Sequence, residues 1–120
     1  MTISSYRDLD AWQLGMSFVQ MVYELASAFP TGERFGLTAQ LRRAAASIPS
    51  QIAEGHQHPT RSYRHYVIVA LGSQAECETQ LELARRLQSA SPQQIAPVID
   101  FAARVGQVLH GLARSLPRDN

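Results

Sequence analysis

The chain has 120 residues, 45% of them hydrophobic, with eleven basic and ten acidic side chains. That length suits one domain, taken as 1–120, which buries roughly two thirds of the surface its unfolded form exposes, and a near-neutral balance excludes any partner chosen by global charge alone. Cys77 is the single cysteine, no apolar run reaches a membrane span, and "MTISSYRDLD" lacks a basic segment followed by an apolar one, so no intrachain disulfide, no membrane association and a cytoplasmic location are expected.

From 6 to 29 the spacing is helical. Leu9, Trp12, Met16, Val19, Tyr23 and Ala26 form one apolar stripe, read as core, and Ala11, Gly15, Phe18, Val22, Leu25 and Phe29 form a second beside it. Leu14, Met21 and Ala28 widen the apolar arc beyond the roughly 100° that a small monomer needs, which points to deep burial or a subunit contact. "FPTGERFG", 29–36, supplies proline and two glycines and is read as a connection. A second helix follows over about 37–57, with Leu37, Leu41, Ala44, Ile48 and Ile52 inward and Gln40, Arg43, Ser47, Ser50, Glu54 and Gln57 as its polar stripe. Pro49 removes the hydrogen bond to the Ala45 carbonyl, and a bend softened by Ser47 or Ser50 is expected there.

"GHQHPT", 55–60, reads as the next turn, with Gly55 as a left-handed cap, Pro59 as the stop and Thr60 as the following cap. A third helix is expected over 61–89, because "YVIVAL" is continued by many further turns of helical spacing, and Glu82 and Arg86 lie four apart in the favourable order. In "SASPQQ", Ser91 caps a fourth helix over 92–116, with Pro92 at its first position and Gln94 completing a capping box. Ile95, Val98, Ile99, Ala102, Val105, Leu109 and Leu112 face inward, and Pro97 falls in the second turn. Four helices, three short connections and no strand signal give an all-α, antiparallel up-down-up-down four-helix bundle.

The residues with chemistry are few. Arg42, Arg43, Arg61 and Arg64, with Tyr63 among them, concentrate positive charge around the second connection and form the candidate nucleic-acid-binding set. Arg43 and Glu54 share a stripe three turns apart and are read as structural polar groups, each seeking a partner on another helix or subunit, for example Glu76 or Glu78 for Arg43. The alternative is an oligomeric enzyme or metal-binding bundle. Paired-metal sites in bundles use Glu-x-x-His, and Glu54, Glu76, Glu78 and Glu82 are followed at that offset by Gln57, Thr79, Leu81 and Arg85. No metal and no cofactor is therefore expected, His56, His58 and His65 read as turn histidines, and Cys77, on an apolar stripe, reads as a buried small hydrophobe. With no phosphate loop and no nucleophile motif, no enzymatic activity is expected.

The blocks "YRDLDAWQLGM" (6–16), "QLRRAAASIPSQIAEG" (40–55) and "ALGSQAECETQL" (70–81) resemble the bacterial four-helix bundle proteins first noticed as intervening-sequence proteins in large-subunit ribosomal RNA genes. The resemblance covers nearly the whole chain. Gln51 stands where that family usually has asparagine, and Gln74 and Cys77 stand where leucines are common. The family is also similar to the accessory variability proteins of diversity-generating retroelements, which form barrel-like pentamers with a reverse transcriptase and nucleic acid as partners. The resemblance therefore implies a ring-like homo-oligomer, a homopentamer first, and a non-enzymatic adaptor whose partners are RNA or DNA, a reverse transcriptase or another nucleic-acid enzyme.

Overall fold

The computed structural model describes residues 5–58 and 60–118, with the side chains of Thr60 and Arg61 outside it, so the capping role expected of Thr60, the stop at Pro59 and the phosphate role expected of Arg61 lie outside the described residues. Four helices make up the fold: α1 Asp10–Ala26, α2 Leu37–His56, α3 Thr60–Arg86 and α4 Pro92–Ser115, with single 3-10 turns at Tyr6–Asp8 and Thr31–Glu33. The first expected helix is thus shorter at both ends. Leu9 is extended at φ −78° and ψ 132°, which breaks the helix between the turn and α1.

Each helix packs on its successor and α1 closes the circuit on α4, while among the described residues neither diagonal pair comes within 8 Å at the Cα atoms. Small residues set the approaches. A Cβ on Gly15 would lie 3.4 Å from Ile48 Cγ2 and Pro49 Cδ, within van der Waals contact, so α1 meets the proline of α2 closely at this position. Helix α2 runs unbroken through Pro49, which is buried. The Ser47 and Ser50 hydroxyls donate to the carbonyls of Ala44 and Ala46, at 3.1 and 2.9 Å, on either side of the Ala45 carbonyl that loses its donor. With its one proton on the Ala44 carbonyl, the Ser47 hydroxyl accepts from the Ser73 hydroxyl of α3.

Gly55 is not the left-handed cap expected of it. No described glycine has positive φ, α2 continues through Gly55 to His56, and a Cβ at this position would stand 2.6 Å from Tyr66 Cβ. The position is kept small by the approach of α3. Between α3 and α4, Gln74 Nε2 donates 2.9 Å to the Ala102 carbonyl across the space left by Gly106.

One continuous core holds the helices together, with Phe18, Leu41, Ile48, Ile52, Leu81, Ile95 and Leu109 fully buried. In α1 the second apolar stripe, from Ala11 to Phe29, is the core stripe. Of the stripe read first as core only Ala26 is buried, whereas Met16 remains 39% and Tyr23 46% exposed. Periodicity gives the width of an apolar arc; packing against α2 and α4 chooses its centre. Helix α3 ends at Arg86, three residues before the expected boundary, in a reversal where Gln88 takes φ 55°. Gln88 N–H donates to the Arg85 carbonyl and Ser89 N–H to that of Ala84, a Schellman pattern built without glycine. The Ser91–Gln94 capping box closes both of its hydrogen bonds, and Pro92 opens α4.

Candidate functional site

Folding separates the four candidate arginines. Arg42 is half-buried in the α1–α2 contact, its guanidinium carbon 4.8 Å from the Tyr23 ring centroid and its Nη2 3.5 Å from the Tyr23 carbonyl, and its Nε is buried without a partner. That carbonyl, which also accepts the Ser27 N–H at 3.2 Å, lies in the last turn of α1, where the helix dipole favours a cation. Arg64 does the same for α4: its Nε donates 3.3 Å to the carbonyl of Ala113, in the last turn. Arg43 is exposed. Fourteen residues of α2 separate Arg42 from His56, about 21 Å of helix at ~1.5 Å per residue. Positive charge is therefore not concentrated around one connection: Arg42 and Arg43 lie toward the end where α1 finishes, and Arg64 toward the end where α4 finishes.

The expected polar pairing does not form within the subunit. Arg43, Glu54, Glu76 and Glu78 are all exposed and make no ion pair among the described residues. The ion pairs that do form join Glu82 to Arg86 at 2.8 Å, as spacing predicts, and to Arg85 at 2.5 Å. Hydrogen bonds from Arg85 and then Arg86 hold the Glu82 carboxyl down at about 2. Cys77 is fully buried, and burial followed by the charges of Glu76 and Glu78 pushes its thiol up to about 12, so at neutral pH it is a protonated core side chain rather than a nucleophile. Among the described residues no three His, Cys, Asp or Glu side chains are grouped so as to hold a metal ion.

One surface groove, of about 340 Å³ between α1 and α2, is largely apolar and is lined by Tyr6, Trp12, Met16, Val19, Pro49 and Ala53 among others. Another, of about 490 Å³ between α3 and α4, is polar, with Gln74, Glu78, Gln107, His110 and Arg114 around Gly106. Helix α4 carries a basic face outside the candidate set: Arg104, Gln107, His110 and Arg114 follow at steps of three, three and four, a stripe legible in the sequence. The histidines of the second connection are engaged with tyrosine rings, His56 on Tyr63 at 5.7 Å, and His58 and His65 on Tyr66 at 5.2 and 5.8 Å. Tyr63 keeps its hydroxyl buried without a partner, and burial raises its pKa.

No helix among the described residues is long and apolar enough to cross a membrane. The fold is similar to the crystal structure of a protein of unknown function from the S23 ribosomal protein family of Bacteroides thetaiotaomicron, with a TM-score of 0.79 and 20% identity over 87% of this chain and 95% of that one. No curated protein matches the chain. The family model described as 23S rRNA-intervening sequence protein matches residues 7–111, and with it the 3-10 turn, the first three helices and most of α4, so the chain belongs to the 23S rRNA-intervening sequence protein family.

Proposed function

We propose that the protein is a non-enzymatic, cytoplasmic scaffold, an up-down-up-down bundle assembled as a ring of identical subunits, that engages RNA or DNA directly or as an adaptor on a nucleic-acid enzyme such as a reverse transcriptase. The supporting observation is apolar surface left uncovered by the subunit in two separate places. Met16, at the apolar groove, and Tyr23 flank the core stripe of α1, while Ile68, Val69 and Leu83 on α3 and Leu87 just beyond it are 38% to 63% exposed. A cyclic ring joins two different patches head to tail. The antiparallel reading is supported by contacts that rise on one helix as they fall on the next: Gly15 with Pro49 and Tyr23 with Arg42, Ser47 with Ser73 and Gly55 with Tyr66, Arg64 with Ala113 and Gln74 with Ala102.

Arg43, Glu54, Glu76 and Glu78, without ion pairs inside the subunit, are the charges available to pair between copies. Arg42 and Arg64 hold helix ends while keeping part of each guanidinium at the surface, and Arg43 adds a free cation; together with Arg61 they repeat on every copy, so weak phosphate contacts add. Five subunits is the first choice because of the likeness to pentameric accessory variability proteins. Light scattering at micromolar concentration tests the assembly, with a mass five times the 13.3 kDa chain expected. A monomer mass overturns the scaffold reading, and stoichiometric iron, manganese or zinc in the purified protein overturns the non-enzymatic one.

A further inference from the structure

We infer that one end of the molecule, where α2 gives way to α3 and α4 finishes, is a proton-dependent contact surface for the phosphodiester backbone of nucleic acid. The inference rests on the nucleic-acid reading above and adds where contact is made and under what condition. All four histidines of the chain fall here. His56, His58 and His65 are tied to Tyr63 and Tyr66 by ring contacts of 5.2 to 5.8 Å. The hydrogen bond from Arg64 to Ala113 brings in the last turn of α4 with exposed Arg114, and His110, one turn earlier, shares its groove with Arg114. Arg118 follows that helix and Arg61 lies in the first turn of α3. Tyr6 and Ala53 line one groove, which places the N-terminal 3-10 turn, with Arg7, at the same end.

Among the described residues, the carboxylates at this end are Asp8 and Asp10 from the N-terminal turn and the start of α1, Glu54 from α2, and Glu78, across the groove from His110, with Glu76 before it on α3. Set against Arg7, Arg61, Arg64, Arg114 and Arg118, these five leave the end at charge balance before the imidazoles are counted. Imidazole is the side chain whose ordinary titration falls between pH 5 and 8, whereas carboxylates stay largely ionised at pH 5.5. Four imidazoles gathered at one place therefore make this the end of the bundle where mild acid can add positive charge. Beyond these residues, toward the other end of the bundle, Glu24, Glu33, Glu82 and Asp100 oppose the remaining arginines and there is no histidine, so the cluster is confined to one end. A phosphodiester backbone is the ligand that matches such a surface, because its charge is dense, repeated and ionised throughout this range. Each further phosphate neutralised steepens the logarithmic salt slope by about 0.7 on a single strand and about 0.9 on a duplex.

The test is fluorescence anisotropy of the full chain with labelled mixed-sequence single-stranded RNA, single-stranded DNA and duplex DNA, at pH 7.5, 6.5 and 5.5 and at about 50 mM salt, where electrostatic binding is favoured. The expected result is at least about tenfold tighter binding at pH 5.5 than at pH 7.5 on both RNA and DNA, with a salt slope steeper by about 1 to 3. Replacing two of the three exposed histidines together, His58→Gln with His110→Gln, is expected to remove much of that pH gain with an unchanged circular dichroism spectrum. Binding that does not change with pH overturns this inference and leaves the nucleic-acid reading standing. A pH gain that survives replacement of all four histidines in a protein still folded by circular dichroism, or one confined to RNA or to DNA, also overturns it. Absence of binding at every pH overturns both.

Discussion

Gly55 and Gly72 are both interior to helices, yet the surroundings give them opposite roles. A Cβ at Gly55 would meet Tyr66 Cβ at 2.6 Å, an atom that moves only if α3 moves, whereas a Cβ at Gly72 would meet nothing within 4 Å. Gly55→Ala should lower stability by about 1–3 kcal/mol through overpacking, despite the better helix propensity of alanine. Gly72→Ala should raise stability by up to about 1 kcal/mol, because only the propensity term remains. Urea melts of the two variants check this, and equal effects would remove the close α2–α3 approach as the reason for Gly55. The sequence marked Gly55 as special but assigned the wrong reason, since a glycine near a helix end signals a left-handed cap only when the chain turns there. Glu54 shows the converse. Its place on a polar stripe with Arg43 was legible, but a shared stripe on one helix does not supply a partner, and the fold leaves both at the surface.

At the scale of elements, the connection from α3 to α4 contains one cap the sequence announces and one it hides. Ser91, Pro92 and Gln94 are a local pattern, and the capping box forms as spacing requires. Gln88 carries no such mark: the left-handed position of a Schellman reversal usually belongs to glycine, and here a glutamine is held at φ 55° by the hydrogen bonds of the reversal and the burial of Ser89. Gln88→Gly should therefore stabilise the protein by about 0.5–1 kcal/mol, and Ser91→Ala should destabilise it by about 1 kcal/mol. Thermal melts of both variants decide it; a destabilised glycine variant would mean that the side chain of Gln88 does more than tolerate the turn. Arginine capping of a neighbouring helix, Arg42 on α1 and Arg64 on α4, belongs to this scale too. It depends on which carbonyls end up within reach, which no residue spacing states.

For the whole molecule, the apolar flank of α1 is the feature that a single subunit leaves unexplained. Met16, 39% exposed on that flank, should tolerate a charge within the subunit but not within an interface that covers it. Met16→Glu is expected to reduce the scattering mass toward the 13.3 kDa of one chain while the helical circular dichroism is retained. A variant that keeps the mass of the wild-type protein would show that the interface lies elsewhere, for example on the exposed apolar face of α3.

What the sequence by itself determined is local: four helices, two of the three connections at nearly their observed places, the capping box, the pairing of Glu82 with Arg86, and the family through blocks spread over the chain. These follow from 3.6-residue periodicity and from hydrogen bonds closed within a few residues, so no distant contact is needed to decide them. Only the tertiary structure decided which stripe of α1 is core, why Gly55 is small, that Arg42 and Arg64 serve other helices, and that the histidines gather at one end. Each of these depends on the rotation of a helix about its axis and on its register against a neighbour, and those are set by packing with residues distant in the chain.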